Sequence, residues 1–236
     1  NDLIQRIYYE IIELNEQIRN SYHHFLTEYR ASIYRKKGFQ KLFVIPNFVN
    51  TERYTPGDKD TDKFKVVLPG VTSREKGIDV LLRIAEKLKV YKDVEFYVTG
   101  RKNSRLKFPT NIRFLGMLSE DEYIEVISNS NLMVLPTRAE VFPFSTLENL
   151  AVGNPVVVSD LPDVMSAFGK SDAIYYAKMN DVVDFLGGIL KYYRLWKTDR
   201  ERYLEISRKA REHVLKFDSR VILPKIEEMF KVVHNS

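Results

Sequence analysis

Along most of the chain, short apolar runs rich in β-branched residues alternate with longer amphipathic stretches. Residues 42–45, 64–68, 94–98, 112–115, 132–135 and 156–158 are such runs. Their continuity, rather than strict alternation, predicts strands buried on both faces of a parallel sheet. Residues 78–90, 120–128 and 145–152 carry apolar positions at helical spacing. Strand and helix in turn predict an α/β fold with a doubly wound parallel sheet and right-handed crossovers. Before Lys41 the pattern differs: Leu3, Ile7, Ile11 and Ile12, then Phe25, Leu26 and Tyr29, predict helix in two pieces. Arg35-Lys36-Lys37 suits a helix C-terminus and Gly38 a left-handed cap. After Tyr176 the pattern is helical to the end, over 182–196, 200–217 and 220–233. The organisation is therefore an N-terminal helical segment (1–40), an α/β domain (41–217) and a C-terminal helix (218–236).

Composition narrows the chemistry. With 236 residues, 44% of them hydrophobic, the chain can bury one substantial core. Its net charge of +5 suits phosphate esters or an anionic membrane surface without requiring nucleic acid. The basic run at Arg35 to Lys37 is too short, and too far from any recognised motif, to add nucleic acid as a partner. The absence of cysteine excludes disulfides, thiolate zinc sites and cysteine nucleophiles, and fits a reducing, cytoplasmic setting. No apolar run approaches the roughly 20 residues that span a bilayer, so membrane contact is expected to be peripheral at most.

Several motifs are missing. There is no Gly-x-Gly-x-x-Gly, no Gly-Lys-Ser/Thr phosphate loop and no Gly-x-Ser-x-Gly elbow. His23, His24, His213 and His234 fall in flanking segments and are expected to be solvated or capping. The alternating aspartates of Asp58-Lys59-Asp60-Thr61-Asp62 resemble a metal loop. Calcium, however, would need Gly where Lys63 stands and a bidentate Glu where Pro69 stands, and a manganese motif would follow a buried strand rather than the turn at 54–57. The stretch is expected to be a solvated loop, and no metal site is expected.

The informative stretch is 135–151, which follows an apolar strand and opens a helix. In a doubly wound sheet such a junction lies at the carboxyl edge, where ligands bind, and a helix N-terminus there presents free N–H groups to a phosphate. Glu140 and Glu148 would then accept hydrogen bonds from hydroxyls beside the phosphates. The plainer alternative for Glu148 is a capping box with Ser145.

Glu140 and Glu148 have seven residues between them, and here the chain resembles the donor-binding domain of glycosyltransferase family 4, of GT-B fold. The resemblance runs in order from about Ser21 to Phe230 through Val44-Ile45-Pro46-Asn47, Glu75-Lys76-Gly77, the 111–116 run, Val134-Leu135-Pro136-Thr137 and Gly153-Asn154-Pro155-Val156-Val157. It implies a C-terminal, Rossmann-like domain binding a nucleotide-diphospho-sugar for a retaining, metal-independent transfer to a glycan or lipid acceptor. Glu140 and Lys76 are the catalytic candidates: Glu140 for hydroxyls of the transferred sugar, Lys76 for the diphosphate. Glu148 would hold the ribose, the N–H groups of Phe144 and Ser145 the phosphates, and the backbone around Gly116, Met117 and Leu118 would flank the base; Phe142 completes the donor loop. The family's arginine five residues before the lysine is Val71 here, with Arg74 the nearest replacement. Its Gly-x-Gly is reduced to Gly100-Arg101-Lys102, and Ser166 stands where a glutamate is usual. The acceptor side implies a separate acceptor domain or subunit, against which Phe217, Val221, Ile222, Ile226 and Phe230 would pack unless the segment before Lys41 covers them. The alternative reading is a non-catalytic nucleotide-sugar-binding or partner module.

Overall fold

The computed structural model describes residues 16–59, 62–70, 73–101 and 106–235. The helical expectation over residues 3–15, the positions of Asp60 and Thr61, and the departures at Val71 and Lys102 lie outside the described residues.

The segment before Lys41 is not all helix. After α1 (Glu16–Arg19) comes a strand, β1 (His23–Phe25), then α2 (Glu28–Lys36) and β2 (Leu42–Val44), and the two strands pair in parallel as a sheet of their own. The helical spacing of Phe25, Leu26 and Tyr29 straddles a boundary: Thr27 is extended and its hydroxyl accepts from the Arg30 N–H at 3.2 Å, starting α2 afresh. His23 and His24 each reach a carbonyl, those of Ile18 and Ile45, and His24 stays exposed to solvent as expected. The run at 42–45 is a strand as expected, but it belongs to this small sheet and not to the main one. Gly38, past the end of α2, has φ +90°.

The main sheet has six strands, all parallel, in the order β5-β4-β3-β6-β7-β8. These are β3 (Phe64–Leu68), β4 (Val94–Thr99), β5 (Ile112–Gly116), β6 (Leu132–Leu135), β7 (Val156–Ser159) and β8 (Ile174–Ala177). The connecting helices are α3 (Ile78–Leu88), α4 (Glu120–Ser128), α5 (Phe144–Ala151) and α6 (Pro162–Phe168), followed by α7 (Val182–Thr198), α8 (Arg200–Val214) and α9 (Ser219–His234). Every residue of β6 and β7 is buried, as their unbroken apolar runs require. The chain order reverses between β3 and β6, so the carboxyl ends of these two strands flank the crevice where such sheets bind ligands.

Two cations pin the irregular segment ahead of β3. The Arg211 guanidinium donates to the carbonyls of Thr51, Tyr54 and Ala151. Lys59, expected in a solvated loop, is 5% exposed, and its ammonium donates to Ser128 O, Ser130 O and Asn154 Oδ1 at 2.6–2.8 Å. Burial lowers its pKa to about 7, while the three acceptors match the three N–H bonds of the charged form.

In the C-terminal stripe, Phe217 packs on Phe142 and Phe168, and Ile222 is fully buried. Val221 is 43% and Phe230 64% exposed. Among the described residues no helix is long and apolar enough to cross a membrane.

Candidate functional site

A cavity of about 1010 Å³ opens over the carboxyl ends of β3 and β6. Two loops build its floor: the turn leading from β3 into α3, which carries Lys76, and the loop from β6 to α5, which carries Glu140. The backbone holds them together. The Glu75 carbonyl accepts from the Arg138 N–H at 2.8 Å, and the Thr137 hydroxyl also reaches it. Gly77, at φ +76°, leads into α3 so close to the second loop that an added Cβ would lie 2.0 Å from the Pro136 carbonyl oxygen. Only glycine meets both conditions. Above this contact the Arg138 guanidinium spans both oxygens of Asp79, on the first turn of α3, and also reaches the Arg74 carbonyl. Arg138 thereby holds the Asp79 carboxyl below its usual range by hydrogen bonding.

With the loops locked, the Lys76 ammonium forms an ion pair with Glu140 Oε1 inside the cavity. Both side chains are partly shielded, at 31% and 20% exposed. The rest of the Glu140 loop is fixed from below. The Phe142 ring is buried 4.9 Å from that of Phe168, and the Asn47 amide donates to the Phe142 carbonyl at 2.8 Å.

Helix α5 begins one residue earlier than expected, at Phe144, and this bears on the capping of the helix by Ser145 and Glu148. The N-cap is Pro143, no side chain caps the helix, and Ser145 already lies in the first turn. The capping-box alternative is therefore excluded here; the box that does form joins Ser119 and Glu122 at the start of α4. No side chain caps the first turn of α5, and both Phe144 and Ser145 of that turn line the cavity.

One turn further along α5, Glu148 faces the opposite end of the same cavity. Burial raises its pKa, and the hydroxyls of Tyr123 and Tyr54 pull it back only in part. The Tyr54 hydroxyl lies 3.5 Å from Glu148 Oε1 and 3.4 Å from Glu120 Oε1. Burial and the two carboxylates push the Tyr54 phenol well above its ordinary value. Arg53 neutralises this rim by pairing with Glu120 and Asp121.

The cavity thus gathers Lys76, Met117, Leu118, Glu140, Phe142, Phe144, Ser145 and Glu148. Gly116 ends β5 beside it with φ +78°, its carbonyl accepting from the Gly100 N–H. Arg74 is exposed and does not line the cavity; it is the Arg74 carbonyl that serves the site, through Arg138. Residues that sequence reasoning missed are Asn47, Tyr54, Tyr123 and Arg138, together with Arg30 and Asp163 on the far wall, themselves joined at 2.5 Å. Asn47 and Arg138 sat inside motifs already singled out. The tyrosines carried no local signal. Among the described residues no group of three or more carboxylates or histidines could hold a metal.

Comparison with known proteins bears on the family and the fold. Over 148 residues the chain is 30% identical to alpha-galactosylglucosyldiacylglycerol synthase of Streptococcus pneumoniae, covering 52% of this chain and 38% of that protein. Over 233 residues it is 24% identical to N,N'-diacetylbacillosaminyl-diphospho-undecaprenol alpha-1,3-N-acetylgalactosaminyltransferase of Campylobacter jejuni, covering 89% of this chain and 60% of the relative. The chain therefore spans about half the length of these curated relatives. A mutant of S. aureus TarM, solved with Fondaparinux, alpha-GlcNAc-glycerol and UDP, superposes with a TM-score of 0.77 at 23% identity, over 94% of this chain and 46% of that one. That likeness shows the fold. Residues 51–213 match the sequence profile of the family described as Glycosyl transferases group 1, and a match over that share of the chain makes it a member of this family.

Proposed function

We propose that this chain is the donor-binding, C-terminal domain of a retaining glycosyltransferase of family 4, and that a nucleotide-diphospho-sugar occupies the cavity over β3 and β6. The observation that carries the reading is the convergence of Lys76, Glu140, Glu148 and the uncapped N-terminus of α5 on that one cavity. A diphosphate seated against α5 would receive N–H groups from Phe144 and Ser145 and the ammonium of Lys76. Glu140, released from Lys76, would then accept from hydroxyls of the transferred sugar, and Glu148 from the ribose. Met117 and Leu118 would flank the base.

In this reading the acceptor attacks from the face the nucleotide leaves. The charge developing on the departing diphosphate is stabilised by Lys76 and the helix N–H groups, whose positions are set before the reaction starts. No protein nucleophile and no metal enters. The acceptor is a glycan or a lipid, a choice supported by the diacylglycerol and the diphospho-undecaprenol in the names of the two curated relatives. A further domain or subunit supplies the acceptor site, and the protein works in the cytoplasm, peripherally at a membrane when the acceptor is a lipid. Calorimetric titration with UDP-, GDP- and ADP-sugars tests the reading. Binding of one of them, lost in Lys76→Ala, is the expected result; no binding of any would overturn it.

A further inference from the structure

The Tyr123 hydroxyl is buried and has no hydrogen-bond partner among the described residues, although its side chain lines the cavity. A buried hydroxyl left unsatisfied destabilises a protein, and phenylalanine would fill the same space without that penalty. Tyr123 and Glu148 line the same cavity, and the phenol draws the carboxylate's pKa down against the rise that burial causes. Tyr54 approaches the same carboxylate only at 3.5 Å and shares its hydroxyl with Glu120.

Resting on the nucleotide-sugar reading above, we infer that Tyr123 is a positioning residue for Glu148, and that the two together hold one hydroxyl of the bound nucleoside. A phenol both donates and accepts. With ligand bound, the phenol donates to Glu148, fixing the carboxylate rotamer, and accepts from the nucleoside hydroxyl, contacts it lacks in the free protein. The site would then read a ribose through a closed hydrogen-bond network, which rejects an analogue lacking the hydroxyl because its own polar groups are left unpaired.

Other charges around Glu148 do not substitute for this contact. Glu120 on α4 raises its pKa; Arg53, from the segment before β3, is committed to Glu120 and Asp121. Arg211 of α8 meets the carbonyls of Tyr54 and Ala151 rather than the carboxylate. Removing the Tyr123 hydroxyl therefore lets the Glu148 pKa rise further, and binding that needs the ionised acid fails at a higher pH.

The experiment titrates the chain and Tyr123→Phe with UDP, GDP and ADP and with their 2′-deoxy forms, across pH 5 to 8, beside thermal melts. For the nucleotide the chain prefers, the variant should bind roughly tenfold more weakly, the value of one hydrogen bond of this kind. The acid limb of its binding profile should move upward in pH, the preference over the 2′-deoxy form should shrink, and the melting temperature should hold or rise. Wild-type affinity and pH profile in the variant would overturn this inference alone. So would a fall in melting temperature that matches the loss of affinity, the mark of a merely structural role. Absence of nucleotide binding by the unmodified chain would overturn the nucleotide reading and this inference with it.

Discussion

Arg138 and Asp79 share two hydrogen bonds of 2.8 Å, one to each carboxylate oxygen, across the gap between the loop after β6 and the first turn of α3. Asp79 is 45% exposed, so the pair adds only about 1 kcal/mol to stability after solvent screening. Its larger effect is positional, because it fixes the Lys76 turn against the Glu140 loop. Arg138→Met is expected to weaken nucleotide-sugar binding by about tenfold, with a melting temperature within a few degrees of the parent. Equal affinity in calorimetry would show that the two loops hold their places without the clamp.

Gly77→Ala is expected to be far more damaging. The new methyl carbon would lie 2.0 Å from the Pro136 carbonyl oxygen, at a φ of +76° that alanine adopts poorly. The backbone must move, at a cost of about 3 kcal/mol or more. Urea denaturation gives the number. A variant as stable as the parent would mean the two loops are not in contact.

Glu148→Gln separates function from stability. Burial raises the Glu148 pKa above its unfolded value, so the folded state binds the proton more tightly. That part of stability is fully present below the unfolded pKa and is lost as pH rises through the folded one. At pH 7 a neutral glutamine escapes the desolvation, and the variant should melt no lower than the parent while losing nucleotide-sugar binding. A melting temperature that drops, with binding intact, would return Glu148 to a structural role.

Donor binding is expected to be the same in EDTA as in excess magnesium or manganese, since among the described residues no three metal-ligating side chains converge. Calorimetry in the two buffers decides. Binding seen only with manganese would assign the diphosphate to a metal rather than to Lys76 and α5.

How much of this was legible beforehand depends on how local each signal is. The runs of β6 and β7 announce themselves, because a strand covered on both faces has no polar positions to dilute the pattern, and those of β3, β4 and β5 stay readable although Lys65, Glu95 and Arg113 interrupt them. Strand β8 escaped notice: Tyr175 and Tyr176 are only half-buried, and its apolar run is short. Strand β1 was hidden for another reason, since Phe25, Leu26 and Tyr29 imitate helical spacing while Thr27 divides them. In the site, Lys76, Glu140 and Glu148 were legible as linear motifs. Tyr54 reaches Glu148 from 94 residues away, and Arg30 reaches Asp163 from 133. Partnerships of that range are made by topology, and no window of sequence contains them. Ser145 shows the opposite failure, a local motif that matched and yet does not form because Pro143 and Phe144 start the helix first.

The segment pinned by Arg211 and Lys59 has no regular ladder to protect it, yet Arg211 holds its Thr51 and Tyr54 carbonyls and its own Lys59 reaches the carbonyls of Ser128 and Ser130. Such a stretch cannot open alone: releasing it leaves the Ser128 and Ser130 carbonyls and the Asn154 amide oxygen without their donor and takes two acceptors from the Arg211 guanidinium. The bonded amides of Thr51, Tyr54 and Gly57 should therefore exchange, and the segment meet proteases, on the timescale of global unfolding, as in a central strand, although the stretch looks like a loop.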